Sequence, residues 1–247
     1  IALKKFVAKE KKSKTIILYP DNEYTKHVEK NIKSVNFENS RLFKYNQDPK
    51  ILTKQIEKIT NYKQRKTNLN SRIKKLEGSE EPKDIRELNK LKQKYTLGKI
   101  NFDSVIIIDF GDNLKSILTS LAYTDVSEKN VLIMTVNQWF DNSILEESSI
   151  KNFYFPSINL KNFEKYKKKF SKTYNYQPSE ITILAYDSIG LIYYVWNKEG
   201  NIDSIKNFNF KKDIKGKIGN FRISDNKIIQ KLNIYKLEDG DFVKNKF

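Results

Sequence analysis

Few residues in this sequence could carry a reaction, and most of those are carboxylates and aromatic rings. Asp109 follows the apolar run from Ser104 to Ile108 and lies near Asp112, while Asp187 sits in the Ala185-Tyr186-Asp187 segment of an apolar stretch. A carboxylate in a cleft can orient a ligand or move a proton. The same residue types also serve structure: Asp112 suits a helix cap, and Asp187 suits a buried, hydrogen-bonded carboxylate. Trp139 stands with Gln138 at the end of another apolar run, where a ring can stack on a ligand or fill a loop. Tyr19 closes the first apolar run. The candidate ligand-binding residues are therefore Tyr19, Asp109, Gln138, Trp139, Tyr186 and Asp187.

The usual catalytic types are scarce. The single histidine, His27, lies between Lys26 and Val28 in a helical stretch and reads as a surface or partly packed residue. With no cysteine there are no disulfides, thiolate metal sites or cysteine nucleophiles, and the familiar zinc sets cannot be assembled. No G-x-S-x-G, P-loop or G-x-G-x-x-G pattern occurs, and the strand exits offer only Gly111 to a phosphate. No catalytic residue, metal or cofactor is expected. The chain reads as a binder.

Charge points to a partner only weakly. The net charge is +17, and clustered Lys and Arg can neutralise phosphates. Here the lysines are spread along a chain also rich in Asn and Ile and poor in Gly and Pro, so the excess reads as solvated surface, and no nucleic-acid partner is expected. No apolar run approaches the ~18–20 residues that span a bilayer. The opening Ile1-Ala2-Leu3-Lys4-Lys5 lacks a signal-peptide core and resembles the middle of an amphipathic helix, with Leu3, Phe6 and Val7 on one face. The numbering is expected to begin inside a longer protein.

The elements that must position these residues alternate. Thr15 to Tyr19 is a buried-strand pattern ended by Pro20-Asp21-Asn22, and Tyr24, Val28 and Ile32 then recur every four residues as one helix face. Leu42 to Tyr45 is a short strand candidate, and Asp48-Pro49 supplies a helix cap with proline in the first turn. From Leu52 through Ile56, Ile59, Tyr62, Lys66, Leu69, Ile73 and Leu76 the spacing stays near 3.5 residues, as in a coiled-coil seam. Gly78 to Pro82 breaks it, and Ile85, Leu88, Leu91 and Tyr95 form a second stripe ending at Gly98. An exposed, projecting helical hairpin over 50–99 follows, carrying 15 Lys/Arg and 6 Asp/Glu.

Strand patterns resume at Ser104 to Asp109, Val131 to Val136 and Phe153 to Phe155, with a helix through Leu114, Ile117, Leu118 and Leu121. Helices are expected at 160–174 and 179–197, the second apolar enough to be packed on more than one side. Short alternating runs close the chain: Phe221 to Ile223, Ile228 to Leu237 and Phe242-Val243, parted by Asp225-Asn226 and Asp239-Gly240 turns. This order implies an α/β fold with a mainly parallel sheet, whose ligands would sit at the carboxyl ends of the strands.

The ordered motifs resemble the type I periplasmic-binding-protein fold and, within it, the penicillin-binding protein activator (LpoA-like) family. The resemblance rests on Tyr19-Pro20-Asp21, Asn101-Phe102-Asp103-Ser104-Val105, Ile108-Asp109-Phe110-Gly111 and Leu121-Ala122-Tyr123-Thr124-Asp125. It continues through Asn137-Gln138-Trp139, Phe153 to Pro156, Leu184-Ala185-Tyr186-Asp187-Ser188 and Gly219-Asn220-Phe221-Arg222-Ile223. It implies a second lobe over 1–156, with 50–99 inserted, and hinge-crossing helices and terminal strands over 157–247 that contribute to an incomplete first lobe. It further implies a non-catalytic periplasmic protein that contacts a penicillin-binding synthase, with a lipid anchor conceivable in a preceding segment. The alternative is a solute-binding protein that delivers an amino acid or similar polar molecule to a transporter. Where many relatives carry Tyr-Gly after the first strand, this chain has Tyr24-Thr25.

Overall fold

The computed structural model describes residues 1–145, 152–179, 181–208, 210, 212–217, 219–224 and 227–245. The first half is built from strand–helix units: α1 (Ala2–Lys9), β1 (Thr15–Pro20), α2 (Thr25–Val35), β2 (Ser40–Tyr45) and α3 (Pro49–Ile59). There follow α4 (Tyr62–Leu76), α5 (Pro82–Leu91), β3 (Ser104–Ile107), α6 (Gly111–Tyr123), β4 (Leu132–Thr135) and β5 (Tyr154–Ser157). The second half holds α7 (Leu160–Tyr174), α8 (Thr182–Glu199), β6 (Ile214–Lys215), β7 (Asn220–Ser224), β8 (Lys227–Gln230), β9 (Asn233–Glu238) and β10 (Asp241–Lys244).

Seven strands form one sheet in the order β10-β9-β5-β4-β3-β1-β2. The five from β2 to β5 run parallel, and β9 and β10 extend the sheet antiparallel. Side chains alternate across a strand, so one run of apolar residues feeds two cores. Ile16, Leu18, Val105 and Ile107 face a core shared with Leu52 and Ile56 of α3 and with Leu114, Ile117 and Leu121 of α6. Ile17 and Ile106 face the other side, against Phe6 and Val7 of α1. Each fully buried aliphatic side chain contributes about 1.5–3 kcal/mol, which is why continuous apolar runs mark these strands. A mostly parallel sheet flanked by helices is the arrangement expected.

The long helix predicted from the 3.5-residue spacing is two helices. Thr60 ends α3, its hydroxyl donating to the Ile56 carbonyl at 2.8 Å, and Asn61 takes a left-handed conformation with φ 52°. Asn tolerates that conformation better than most residues. The two halves then bury their stripes in different places: Leu52 and Ile56 pack into the sheet core, while Leu69, Ile73 and Leu76 pack against Leu88 and Leu91 of α5. The first of the two predicted hairpin helices is thus in part a sheet-covering helix, tied to α6 by Thr53 and Ser120 hydroxyls 3.2 Å apart. Only α4 and α5 stand apart with their own small core. Tyr95, predicted on the second stripe, lies beyond α5 and is exposed, as is Tyr24 before α2.

Two further differences concern the end of the chain. The run from Ile228 to Leu237 divides into β8, in a separate three-stranded sheet β6-β7-β8, and β9, in the main sheet. The expected turn at Asp239-Gly240 joins β9 to β10, and both residues have positive φ, 50° and 82°, as a two-residue hairpin turn requires. The Asp225-Asn226 turn lies outside the described residues. Helix α8, expected to be packed on more than one side, buries Ile183, Leu191 and Val195 but leaves Ile189, Ile192, Tyr193 and Trp196 half or more exposed. Among the described residues no helix is long and apolar enough to cross a membrane.

Candidate functional site

The carboxyl ends of β1 to β4 gather most of the residues singled out by sequence. Asp109 leaves β3 and is buried on the α3/α6 side of the sheet. Its Oδ1 accepts the backbone N–H of Phe110 at 2.9 Å, and its Oδ2 accepts the hydroxyl of Tyr45, the last residue of β2. Gln138, just beyond β4, is also buried, and its Nε2 donates to the Asp109 carbonyl at 3.1 Å, to Thr135 Oγ1 at 2.9 Å and to the Val136 carbonyl at 3.2 Å. The exits of β2, β3 and β4 are therefore laced together.

Burial, and then the hydrogen bond to Asp109, push the Tyr45 phenol far above its ordinary range, so it stays a donor at any physiological pH. Both Asp109 oxygens are engaged, and the group acts as a bracket between strands. Tyr45 was not singled out by sequence. It ends the short strand candidate Leu42 to Tyr45 at the same sheet edge, and that position was the available signal.

Tyr19 is the penultimate residue of β1 and points the other way. It shares the parity of Ile17, which faces α1, and its hydroxyl donates to Glu29 of α2 at 3.0 Å. Burial and the Glu29 carboxylate raise its pKa. Tyr19 and Asp109 thus reach the same sheet edge on opposite faces. Trp139 and Phe140 follow Gln138 with positive φ, 52° and 60°, and Trp139 packs partly against the main core. Asn137 holds that turn, its Oδ1 accepting from the Trp139 N–H at 3.0 Å and from the Ser157 hydroxyl at 2.7 Å.

The rim of this edge carries exposed rings that were not among the ligand-binding candidates. Phe110 is 62% exposed at the start of α6, and Tyr24 is 61% exposed before α2. Phe110 occupies the cap position of α6 without a side-chain cap. Asp112, expected as that cap, lies inside the helix, almost wholly exposed and 3.6 Å from Lys115. The N–H groups of the first turn of α6 thus receive no cap from the Phe110 side chain.

Tyr186 and Asp187 belong to a second locus on α8. Tyr186 meets Tyr166 of α7 edge-on at 5.9 Å, and both line a groove of about 710 Å³ with Phe170, Lys165 and Lys217. Asp187 accepts the Lys217 backbone N–H at 2.8 Å, and Asn162 donates to the Lys217 carbonyl at 2.6 Å, so that segment is pinned from both helices. A Cβ at Gly216 would lie 2.5 Å from an Asp187 oxygen, which explains the glycine there. Asp187 is thus hydrogen-bonded and half-buried, close to its structural reading. His27 is exposed on α2. Among the described residues no group of three or more His, Cys, Asp or Glu could hold a metal ion.

No protein-family model matches this chain, and no curated protein matches it. Solved structures do. A putative branched-chain amino acid ABC transporter protein from Rhodospirillum rubrum aligns over 99% of this chain and 64% of its own, with TM-score 0.63 and 8% identity. Full-length LpoA from Haemophilus influenzae aligns over 99% of this chain and 38% of its own, with TM-score 0.60 and 10% identity. A solute-binding protein of an ABC transporter from Rhodopseudomonas palustris BisB5, in complex with 3,4-dihydroxybenzoic acid, aligns over 99% and 62%, with TM-score 0.56 and 12% identity. The fold is that of periplasmic-binding-protein-like molecules. The chain spans less than two thirds of the length of each of these three structures.

Proposed function

We propose that this chain is part of a non-catalytic periplasmic binding protein that acts by contact with a protein partner, in the manner of an activator of a penicillin-binding peptidoglycan synthase. The observation that carries the choice is the state of the polar groups at the sheet edge. A site for a small polar solute needs several polar groups turned towards an apolar pocket. Here Asp109, Tyr45 and Gln138 are spent on one another, and Tyr19 is spent on Glu29. The outer surface, in contrast, offers a broad apolar face on α8 and a strongly basic hairpin.

The same reading has residues 157–247 contribute to a first lobe; since β9 and β10 join the main sheet, α8 and the β6-β7-β8 sheet are the parts that would do so. The stripe Ile189, Ile192, Tyr193 and Trp196 is an exposed apolar face of the kind that marks a contact surface. The solved structures of this fold are longer than the chain, and their extra length could supply such a covering part.

A second reading, a solute-binding protein for an amino acid or related molecule, draws support from the uncapped α6 N-terminus beside the exposed ring of Phe110. Thermal-shift measurements against the free amino acids and against muropeptides separate the two. The activator reading expects no shift with amino acids and co-purification with a penicillin-binding synthase. A reproducible shift with a single free amino acid overturns it.

A further inference from the structure

The basic hairpin is rigidly mounted, and on the edge of the sheet remote from Asp109. Helix α6 starts at the exit of β3 and runs back across the sheet, ending at Tyr123 on the side where the parallel strands begin. The hairpin is fastened there by Arg65. This buried guanidinium donates to the Thr60 carbonyl at 3.0 Å, to Thr96 Oγ1 at 2.9 Å and to the Thr124 carbonyl. Thr96 in turn donates to Asp125, and Leu97 N–H donates to the Arg65 carbonyl at 3.0 Å. Gly98, with φ 133°, passes so close that an added Cβ would sit 3.4 Å from the Arg65 side chain. Tyr62 packs on Tyr123 at 5.2 Å. Both the start and the end of the insertion are thus bonded to the body of the protein.

Charge on this arm is segregated. Helix α4 carries six basic residues and no acidic one. Lys63, Lys66, Asn70 and Lys74 follow one another at spacings of three and four, a single exposed stripe. On α5, Lys83, Arg86 and Lys90 do the same on the side away from Leu88 and Leu91. The hairpin's acidic groups at Asp84 and Glu87 are engaged locally, Asp84 with Ser79 at 2.7 Å and Glu87 with Arg72 at 2.8 Å. Among the described residues none of these stripe cations lies within 4.0 Å of a carboxylate.

We propose that residues 61–99 form a pre-oriented docking arm whose lysine stripes receive an acidic protein surface. The α4 stripe is lysine with one amide and the α5 stripe adds the single guanidinium of Arg86, and neither interleaves the rings on which nucleic-acid bases stack. They also lack the row of large apolar side chains with which an interfacial helix enters a membrane. Opposed charge patches steer and orient protein partners, and a rigid mount spares the partner the entropy of ordering the arm. The proposal rests on the partner-binding reading and names its surface.

The test uses fluorescently labelled poly-L-glutamate as the acidic probe, in 50 mM salt, with the whole chain. The triple substitution Lys63→Gln, Lys66→Gln, Lys74→Gln is expected to weaken binding at least about tenfold, with affinity falling steeply as salt rises. A matched triple on α7, Lys161→Gln, Lys168→Gln, Lys172→Gln, removes equal charge and should change affinity less than about twofold. Lys83→Gln, Arg86→Gln, Lys90→Gln provides a second hairpin variant, and circular dichroism confirms that each folds. Equal loss in the hairpin and α7 variants overturns the proposal. So does tighter binding to duplex DNA, or to vesicles containing phosphatidylglycerol, than to poly-L-glutamate at equal charge. A shift with a free amino acid would sink the partner-binding reading without touching these comparisons.

Discussion

Two carboxylates show how a residue's role follows from what reaches it. Asp109 was a ligand candidate because it leaves a buried strand, yet its oxygens receive Tyr45 and Phe110. Tyr45→Phe should therefore cost about 1–3 kcal/mol, the penalty of stranding a buried acceptor, read by urea unfolding. The same phenol has a folded pKa raised above the unfolded value of 10.0, as do Tyr19, Tyr154 and Tyr235. Unfolding above pH 10 then releases protons, so the stability these groups provide is present below pH 10 and fades as pH rises beyond it. Tyr45→Phe should flatten that alkaline loss.

Asp103 shows the opposite sign. Burial opposes its charge, but hydrogen bonds from Ser13 N–H at 2.8 Å and Lys14 N–H at 3.0 Å outweigh it and hold the pKa below 3.8. Its contribution is present above the unfolded pKa and lost as pH falls through the folded one. Asp103→Asn should remove about 1–2 kcal/mol at neutral pH and shrink the acid-limb slope of a pH–stability curve.

At the scale of elements, the informative feature is the break at Thr60–Asn61. Hydrophobic spacing was continuous through it, because α3 and α4 each need an apolar stripe, though for different partners. The period was legible; the direction of each stripe was not, since a single left-handed residue changes it. Arg65 then decides how the hairpin sits. Arg65→Met should cost about 3 kcal/mol by stranding its acceptors. Hydrogen exchange should show α4 and α5 amides losing protection while the β1 and β3 amides keep theirs. Equal loss across the whole molecule would mean that the arm and the sheet fold as one unit.

For the whole molecule, the exposed face of α8 is the feature an isolated domain would least tolerate. Ile192→Lys with Trp196→Lys should lower binding of a hydrophobic dye and reduce self-association. Because the changed side chains are already half exposed, the melting temperature should move by no more than a few degrees. A large drop would place this face in the chain's own core. Under the proposed first-lobe reading, the double substitution should impair assembly with a covering part, while the seven-stranded sheet stays intact.

The strands from Thr15 to Ser157, the Asp48-Pro49 cap and the Asp239-Gly240 turn follow from the sequence alone, because buried strands, helix starts and two-residue turns each impose local residue types. The lack of cysteine, of a second histidine and of phosphate-binding glycine patterns likewise needed no coordinates. Tertiary structure alone decided which polar groups are spent. Sequence spacing placed Tyr19, Asp109 and Gln138 at one sheet edge, but hydrogen bonding is a matter of facing and distance between separate strands. Those contacts turned Asp109 from a candidate ligand group into a bracket with Tyr45, put Tyr19 on the opposite face, and left the bare surfaces on α8 and the hairpin.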